Sequence, residues 1–273
     1  MMSAIPSYPD LLRLDGRVAL VTGSGGGIGR TLAVAFMQAG AQIALHDRSE
    51  DQLGTARALL DEVGGGYRTF VADLASVEEC RRLIGEVQEA FGRLDILVNC
   101  AGIPYRGSIL EATPEGFDRI VAVDQRAPFF LSQAAHPIMK AHGGGKILHI
   151  GSLNIFYGLA GVSVYGAAKG AVGQMAKTMA AEWAPDNIQV NCLAPGIMIT
   201  PINEEAIWGN PRKRAWIMDR TPAGRPGVPE DLVGAAILLV SPASDFITGQ
   251  TILVDGGFMA GGSWDYQGPL KEG

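Results

Sequence analysis

Cysteine is scarce in this chain of 273 residues: Cys80, Cys100 and Cys192 are widely scattered and cannot all pair. That excludes a disulfide scaffold and reads as small buried side chains in a reducing compartment, so the cytoplasm is the expected location. Histidine is nearly as rare, and His46, His136, His142 and His149 lack ligand spacing, which argues against a metal site. Charge is also low, at 18% of residues with a formal net charge of -6, and Lys and Arg never form a dense run. Nucleic acid is therefore not the expected partner, because phosphate neutralisation needs clustered cations. No apolar run approaches the length that spans a bilayer, and the start, MMSAIPSYPDLLRLDGR, has neither a basic opening nor an unbroken apolar segment. Internal repeats and low-complexity segments are absent. What is abundant is apolar side chain, at 47%, enough for one large core without a second domain.

From Arg17 to Thr22 a short β-rich run stops in GSGGGIG, and GRTLAVAFMQAG then carries apolar residues at helical spacing. Strand, glycine turn and helix are expected in that order. Gly23, Gly27 and Gly29 form a T-G-x-x-x-G-x-G arrangement, where missing side chains let the backbone approach a pyrophosphate at a helix N-terminus. A second strand ends at Asp47, and an acid there accepts both ribose hydroxyls and repels a 2′-phosphate, which favours NAD over NADP. Capping the next helix is the other use open to Asp47, and Arg48 beside it keeps NADP possible. A helix from Glu50 to Val63 and a strand from Tyr67 to Ala72 lead to Asp73-Leu74, where Asp73 suits an adenine amino group or the N-cap of a helix starting near Ser76. A fourth strand breaks at Asn99 to Gly102, followed by a loop whose Tyr105 and Arg106 suit either substrate or an ordinary loop.

Helical spacing runs from Thr113 to Met139, with Pro114 fit for a first turn and Pro128 implying a bend. A fifth strand delivers Ser152. Tyr165 and Lys169 are four apart on the next helix and so rise from one face. An ammonium beside a phenol favours the phenolate, which makes Tyr165 a proton donor and acceptor, and Ser152 can hold a carbonyl or hydroxyl against it. A sixth strand ends at Pro195-Gly196, with Thr200 placed to hold a carboxamide. Residues 201–228, with Trp208 and Trp216, read as an inserted lid whose Arg212, Lys213 and Arg214 attract a carboxylate or face only water. A hydrolase triad of Ser152, His149 and Asp124 is disfavoured, because residues three apart on a strand leave by opposite faces.

In this order and spacing the motifs resemble the short-chain dehydrogenase/reductase family from about Leu14 to Gly257. The resemblance implies a single-domain, Rossmann-type doubly wound α/β fold, with seven parallel strands and helices on both faces. Residues 1–13 would be an extension, 14–257 the dinucleotide-binding and catalytic domain, and 258–273 a tail carrying Trp264 and Tyr266. It further implies a homotetramer or homodimer, a small-molecule substrate, and NAD as cofactor, with NADP second. By the likeness Tyr165 is the acid/base, Lys169 lowers its pKa and holds the nicotinamide ribose, and Ser152 orients substrate. The cofactor residues carried over are Gly23, Ser24, Gly27, Ile28, Gly29, Asp47, Arg48, Asp73, Leu74, Asn99, Ala101, Gly102, Tyr165, Lys169, Pro195, Gly196, Ile197 and Thr200. Substrate contacts fall to Asn154, Tyr105, Arg106, Met198 and Trp208.

Two departures stand out. Cys100 occupies a place where the family commonly has a second Asn, and Asp124 in VAVDQR replaces the family's fourth catalytic residue, an Asn that helps hold a water next to the lysine. An aspartate still accepts from that water and from the lysine, while its charge partly offsets the effect of Lys169 on Tyr165. YGAAKGAV, NIQVNCLAPG and SDFITGQTILVDGG look most like the sugar, polyol and sugar-acid dehydrogenases of the family. The expected reaction is hydride transfer between cofactor and a secondary alcohol or ketone. A 3-oxoacyl thioester or steroid-type reductase and a non-catalytic dinucleotide sensor are the alternatives.

Overall fold

A parallel sheet is covered by helices on both faces, so its strands must be apolar throughout rather than alternating. Seven strands, the central ones of this kind, form the sheet in the computed structural model, which describes residues 7–262. They are β1 (Val18–Thr22), β2 (Gln42–Asp47), β3 (Tyr67–Val71), β4 (Ile96–Asn99), β5 (Gly145–Ile150), β6 (Ile188–Pro195) and β7 (Thr251–Val254). The order is β3-β2-β1-β4-β5-β6-β7, with every pair parallel. β1, β4, β5 and β6 are buried along their whole length, whereas the edge strand β7 is part-exposed.

The helices are α1 (Tyr8–Leu11), α2 (Gly27–Gln38), α3 (Glu50–Val63), α4 (Val77–Phe91), α5 (Pro114–Val121), α6 (Ala127–Ala141), α7 (Ser163–Trp183), α8 (Pro211–Arg220) and α9 (Val233–Val240). Because side chains alternate along a strand, one strand feeds two cores. Ala19 and Val21 of β1 join Leu32 and Phe36 of α2, Leu53 and Leu60 of α3 and Leu239 of α9. Val18 and Leu20 join Leu83 and Ile84 of α4, Leu131 and Met139 of α6 and Val172 and Met179 of α7 on the other face. Each fully buried Leu or Phe contributes about 1.5–3 kcal/mol. Leu14 is itself fully buried, so the core starts where the family likeness does. No helix among the described residues is long and apolar enough to cross a membrane.

The helical stretch expected from Thr113 to Met139 is divided. Thr113 caps α5 through its hydroxyl, a π-type turn spans Ala122–Arg126, and α6 follows. In place of the bend expected at Pro128, the irregularity is the π-type turn that ends two residues before it. Pro128 sits in the first turn of α6, where its missing N–H is tolerated. The carbonyl that this N–H would have served belongs to Asp124, so the helical ladder is interrupted there and the backbone widens to a π turn.

β1 lies between β2 and β4, and the chain leaves it toward both sides of the sheet, which opens a crevice beyond the carboxyl ends of the strands. The turns after β1 and β4 meet in that crevice. Thr22 Oγ1 accepts from the amides of Cys100 and Ala101 and donates to the Val98 carbonyl. Gly23 has φ +69°, and a Cβ on it would lie 2.8 Å from Ala101 Cα. Gly23→Ala therefore combines left-handed strain, about 1–3 kcal/mol, with a backbone collision. A clear drop in melting temperature is expected on thermal unfolding, and an unchanged one would show that the two turns are not in contact.

Candidate active site

The crevice is a cleft of about 1670 Å³, larger than the roughly 300–1,000 Å³ usual for a small-molecule pocket. It has room for an extended cofactor and a substrate together. One end is built on the glycine turn. A side chain at Gly25 would strike the Gln52 carbonyl, and one at Gly29 the Gly23 carbonyl, so only glycine closes the turn this tightly. The first amides of α2 have no intrahelical partner, which makes the turn a cradle that fits a diphosphate. Asp47 braces it: Oδ2 accepts from Gly25 N at 2.9 Å and Oδ1 from Arg48 N at 2.7 Å. Asp47 does not cap α3, whose N-cap position is Ser49. Asp73 accepts from Ala75 N at 3.0 Å, and the cap of α4 is Ser76, so the capping alternative for Asp73 is not realised.

The other end is the chemical one. Lys169 is buried; Nζ donates to the Ile150 carbonyl at 3.0 Å and lies 3.5 Å from Asp124 Oδ2. It also stands 5.7 Å from the centre of the Tyr165 ring. An ammonium has three protons and only the Ile150 carbonyl takes one in a hydrogen bond, which leaves donors for a group in the cleft. Burial works against the Lys169 charge, but Asp124, then Tyr165 and the two nearby cysteines, raise its pKa above the ordinary lysine value. Asp124 is fully buried at the π turn; Oδ1 accepts from Ile103 N at 2.8 Å, while Oδ2 has no hydrogen bond. Burial raises its pKa, and Lys169 and the Ile103 amide hold back that rise. Gly102 makes the pair possible, since a Cβ there would come within 2.9 Å of Asp124 Oδ2. Ser152 follows β5 directly, and its hydroxyl is engaged with Asn154.

Most of the residues expected at the site line the cleft together. Gly23, Gly27, Ile28, Gly29, Asp47, Arg48, Asp73, Leu74, Ala101 and Gly102 do so on the cofactor side, as do Pro195, Gly196, Ile197 and Thr200. Asp124, Ser152, Asn154, Tyr165, Lys169, Tyr105, Arg106 and Met198 do so on the chemical side. Three of the expected residues turn their side chains elsewhere. The Ser24 hydroxyl turns inward to the Val21 carbonyl and the His46 amide, where it tightens the turn. The Asn99 side chain points into the core, donating to Ser132 and facing His149 Nδ1. Trp208 donates to the Met198 carbonyl and borders a separate shallow hollow. Trp216, Ile207, Ile217 and Arg119 also line the cleft and were missed; Trp208 ends a π-type turn and Trp216 lies in α8, and spacing across the break between them does not say which aromatic faces inward. Trp264 and Tyr266 lie outside the described residues.

No hydrolase triad forms: Asp124 pairs with Lys169, and the His149 imidazole, its pKa pushed down to about 3 by burial, turns its Nδ1 to Asn99 in the core. Among the described residues no group of three or more His, Cys, Asp or Glu is placed to hold a metal.

A family model described as enoyl-(acyl carrier protein) reductase matches residues 23–259. The chain is 38% identical over 251 residues to gluconate 5-dehydrogenase of Gluconobacter oxydans, covering 92% of this chain and 98% of that one. It is 39% identical over 250 residues to 2-dehydro-3-deoxy-D-gluconate 5-dehydrogenase of Escherichia coli, covering 90% and 97%. The crystal structure of a gluconate 5-dehydrogenase from Burkholderia cenocepacia in complex with NADP and tartrate matches with a TM-score of 0.89 and 40% identity, over 93% of this chain and 99% of that one.

Asp124→Asn removes an anion from beside Lys169. The falling limb of the pH profile for alcohol oxidation is expected at lower pH, because Lys169 loses the largest support for its charge. Initial rates from acid to alkaline pH test this, and coincident profiles would remove the charge argument. Asp124→Ala should be nearly inactive, since the Ile103 amide and Lys169 both lose a partner.

Proposed function

The chain belongs to the short-chain dehydrogenase/reductase family and is an oxidoreductase acting on CH–OH groups; we propose that it interconverts a secondary alcohol and a ketone of a sugar acid, with NAD as preferred cofactor. The observation that carries this is the convergence of Ser152, Tyr165 and Lys169 on one end of a cleft whose other end is a glycine cradle. The turn at Gly23 to Gly29, Asp47, Leu74, Gly102, Ile197 and Thr200 would hold a nicotinamide dinucleotide, which would supply the hydride acceptor or donor. The protein's own part is the proton. Tyr165 takes it from the substrate hydroxyl, or returns it to the ketone oxygen, while Ser152 holds that oxygen by a hydrogen bond. Lys169 keeps its charge in a buried place and stabilises the tyrosine oxygen when it carries the negative charge.

Two features support a sugar acid. The relatives above are named for acids of this kind, and the mouth of the cleft carries Arg106, Arg119, Arg212 and Lys213. Among the described residues none of the four has a carboxylate within ion-pair distance, while the acids lining the cleft, Asp47, Asp73 and Asp124, belong to the cofactor side or to Lys169. Arg214 is not part of that lining. NAD is preferred on the strength of Asp47, whose carboxylate repels a 2′-phosphate. NADP use is the second reading, favoured by exposed Arg48 and by the NADP held in the Burkholderia relative. Exposed Phe117, Phe129 and Phe246, and Ile252 on the edge strand β7, support self-association as a homotetramer or homodimer, which sedimentation measures directly.

Tyr165→Phe is expected to lower kcat by about 10²–10⁴-fold while NAD binding, followed by titration calorimetry, is retained. Undiminished turnover would end the dehydrogenase reading. In parallel, NAD should exceed NADP in kcat/KM on a panel of sugar acids, polyols and cyclic alcohols, and Asp47→Gly should reverse or erase the preference. An Asp47→Gly enzyme with unaltered preference would remove the role given to that carboxylate.

A further inference from the structure

We propose that Asn154 reads a hydroxyl on the carbon next to the reacting one, so that the substrate is a vicinal diol or its α-hydroxy ketone. This rests on the dehydrogenase reading and adds to it the group that selects the substrate.

Ser152 opens a short 3-10 turn, Leu153–Ile155, and its Oγ accepts from the Asn154 backbone amide at 3.1 Å. The hydroxyl has a single proton, which it donates to Asn154 Oδ1 at 3.0 Å. The direction of the amide follows from its other contact: Nδ2 lies 3.1 Å from the Tyr157 carbonyl. A carbonyl only accepts, so the amino group must face Tyr157 and the oxygen must face Ser152. That anchor is itself held, because the Tyr157 ring packs edge-on against Phe258 at 5.6 Å. Asn154 also sits beside the turn of α7 that carries the phenol: its Cβ is 3.9 Å from the place of a Cβ on Gly166, the residue after Tyr165. Both Ser152 and Asn154 line the cleft.

When a substrate oxygen takes the Ser152 proton, Asn154 Oδ1 loses its donor. A half-buried amide oxygen left in that state is unfavourable unless another donor replaces the hydroxyl. A hydroxyl on the adjacent carbon is that donor. In a gauche arrangement the two oxygens of such a substrate lie about one hydrogen-bond length apart, and Ser152 Oγ and Asn154 Oδ1 are separated by 3.0 Å. Donor and acceptor thus form a two-point edge that matches two neighbouring oxygens, and one internal hydrogen bond is exchanged for two to the substrate. A substrate with a methylene in the second position leaves the acceptor empty, and sites built to bond a hydroxyl reject analogues that lack it.

The test compares propylene glycol with isopropanol, and D-gluconate with a gluconate deoxygenated next to the carbon that reacts, using the full-length wild-type protein and two variants. Wild type should favour the hydroxylated member of each pair by about tenfold or more in kcat/KM. Asn154→Ala should bring that ratio close to one, whatever it does to the absolute rate. Asn154→Asp, whose protonated carboxyl keeps an acceptor oxygen facing Ser152 and a donor facing the Tyr157 carbonyl, should preserve the ratio at acid pH and so separate recognition from a disturbed loop. A wild-type ratio near one, or a ratio that survives in Asn154→Ala, overturns the proposal and leaves the dehydrogenase reading standing. No turnover of any probe by the wild type, with NAD still bound, removes the dehydrogenase reading and this inference with it.

Discussion

A lysine ammonium held charged in the interior is the constraint around which the chemical half of the molecule is arranged. A buried cation is costly unless paired and hydrogen-bonded, and Lys169 has both forms of support: the Ile150 carbonyl at the end of β5 and the Asp124 carboxylate at the π turn. Each supporter needs a backbone concession. Ile150 must end a strand where its carbonyl faces α7, and Asp124 must leave the regular helical path, which the missing amide of Pro128 makes possible. Gly102 then has to be glycine for the carboxylate to fit. A short list of unusual local choices in the sequence thus follows from one charge.

Much of this was legible beforehand because parallel-sheet proteins write their topology into apolar runs and turn residues. Six of the strands and the helix from Glu50 to Val63 lie where periodicity puts them, and the seven-stranded parallel sheet is the one the family resemblance implies. Ser152, Tyr165 and Lys169 were recognisable from spacing and meet on one end of the cleft. What was not legible concerns direction. Ser24 and Asn99 belong to motifs that surround a cofactor, yet both turn their side chains into the protein to satisfy buried amides and hydroxyls. A motif gives the position of a residue along the chain, while the nearest unsatisfied polar group decides where its side chain goes. The exchange of Trp208 for Trp216 has a related origin, since the break between the π-type turn that ends at Trp208 and α8 resets the helical phase.

The two ends of the cleft differ in how they are stabilised. The cofactor end is mostly backbone: glycines packed too closely for side chains, and amides facing a carboxylate. Such a surface is indifferent to the identity of the substrate. The chemical end is side chain, and its outer wall comes from the lid, with Trp216 packed on Phe258 and Arg220 stacked over the Trp216 ring at 4.4 Å. Phe258 touches both α8 and the segment behind Ser152, so the lid and the serine share one aromatic brace.

The π turn at Ala122–Arg126 has one further consequence. An α-helix advances about 100° per residue, since it holds 3.6 residues per turn, so the direction of Asp124 depends on how many residues the coil contains as well as on which they are. Exchanges of side chain along the outer surface of this segment are compatible with an intact relay. Insertion or loss of a single residue between Val121 and Pro128 is not, because it swings the carboxylate away from the lysine. In this part of the chain descent is free to alter composition but bound to conserve length.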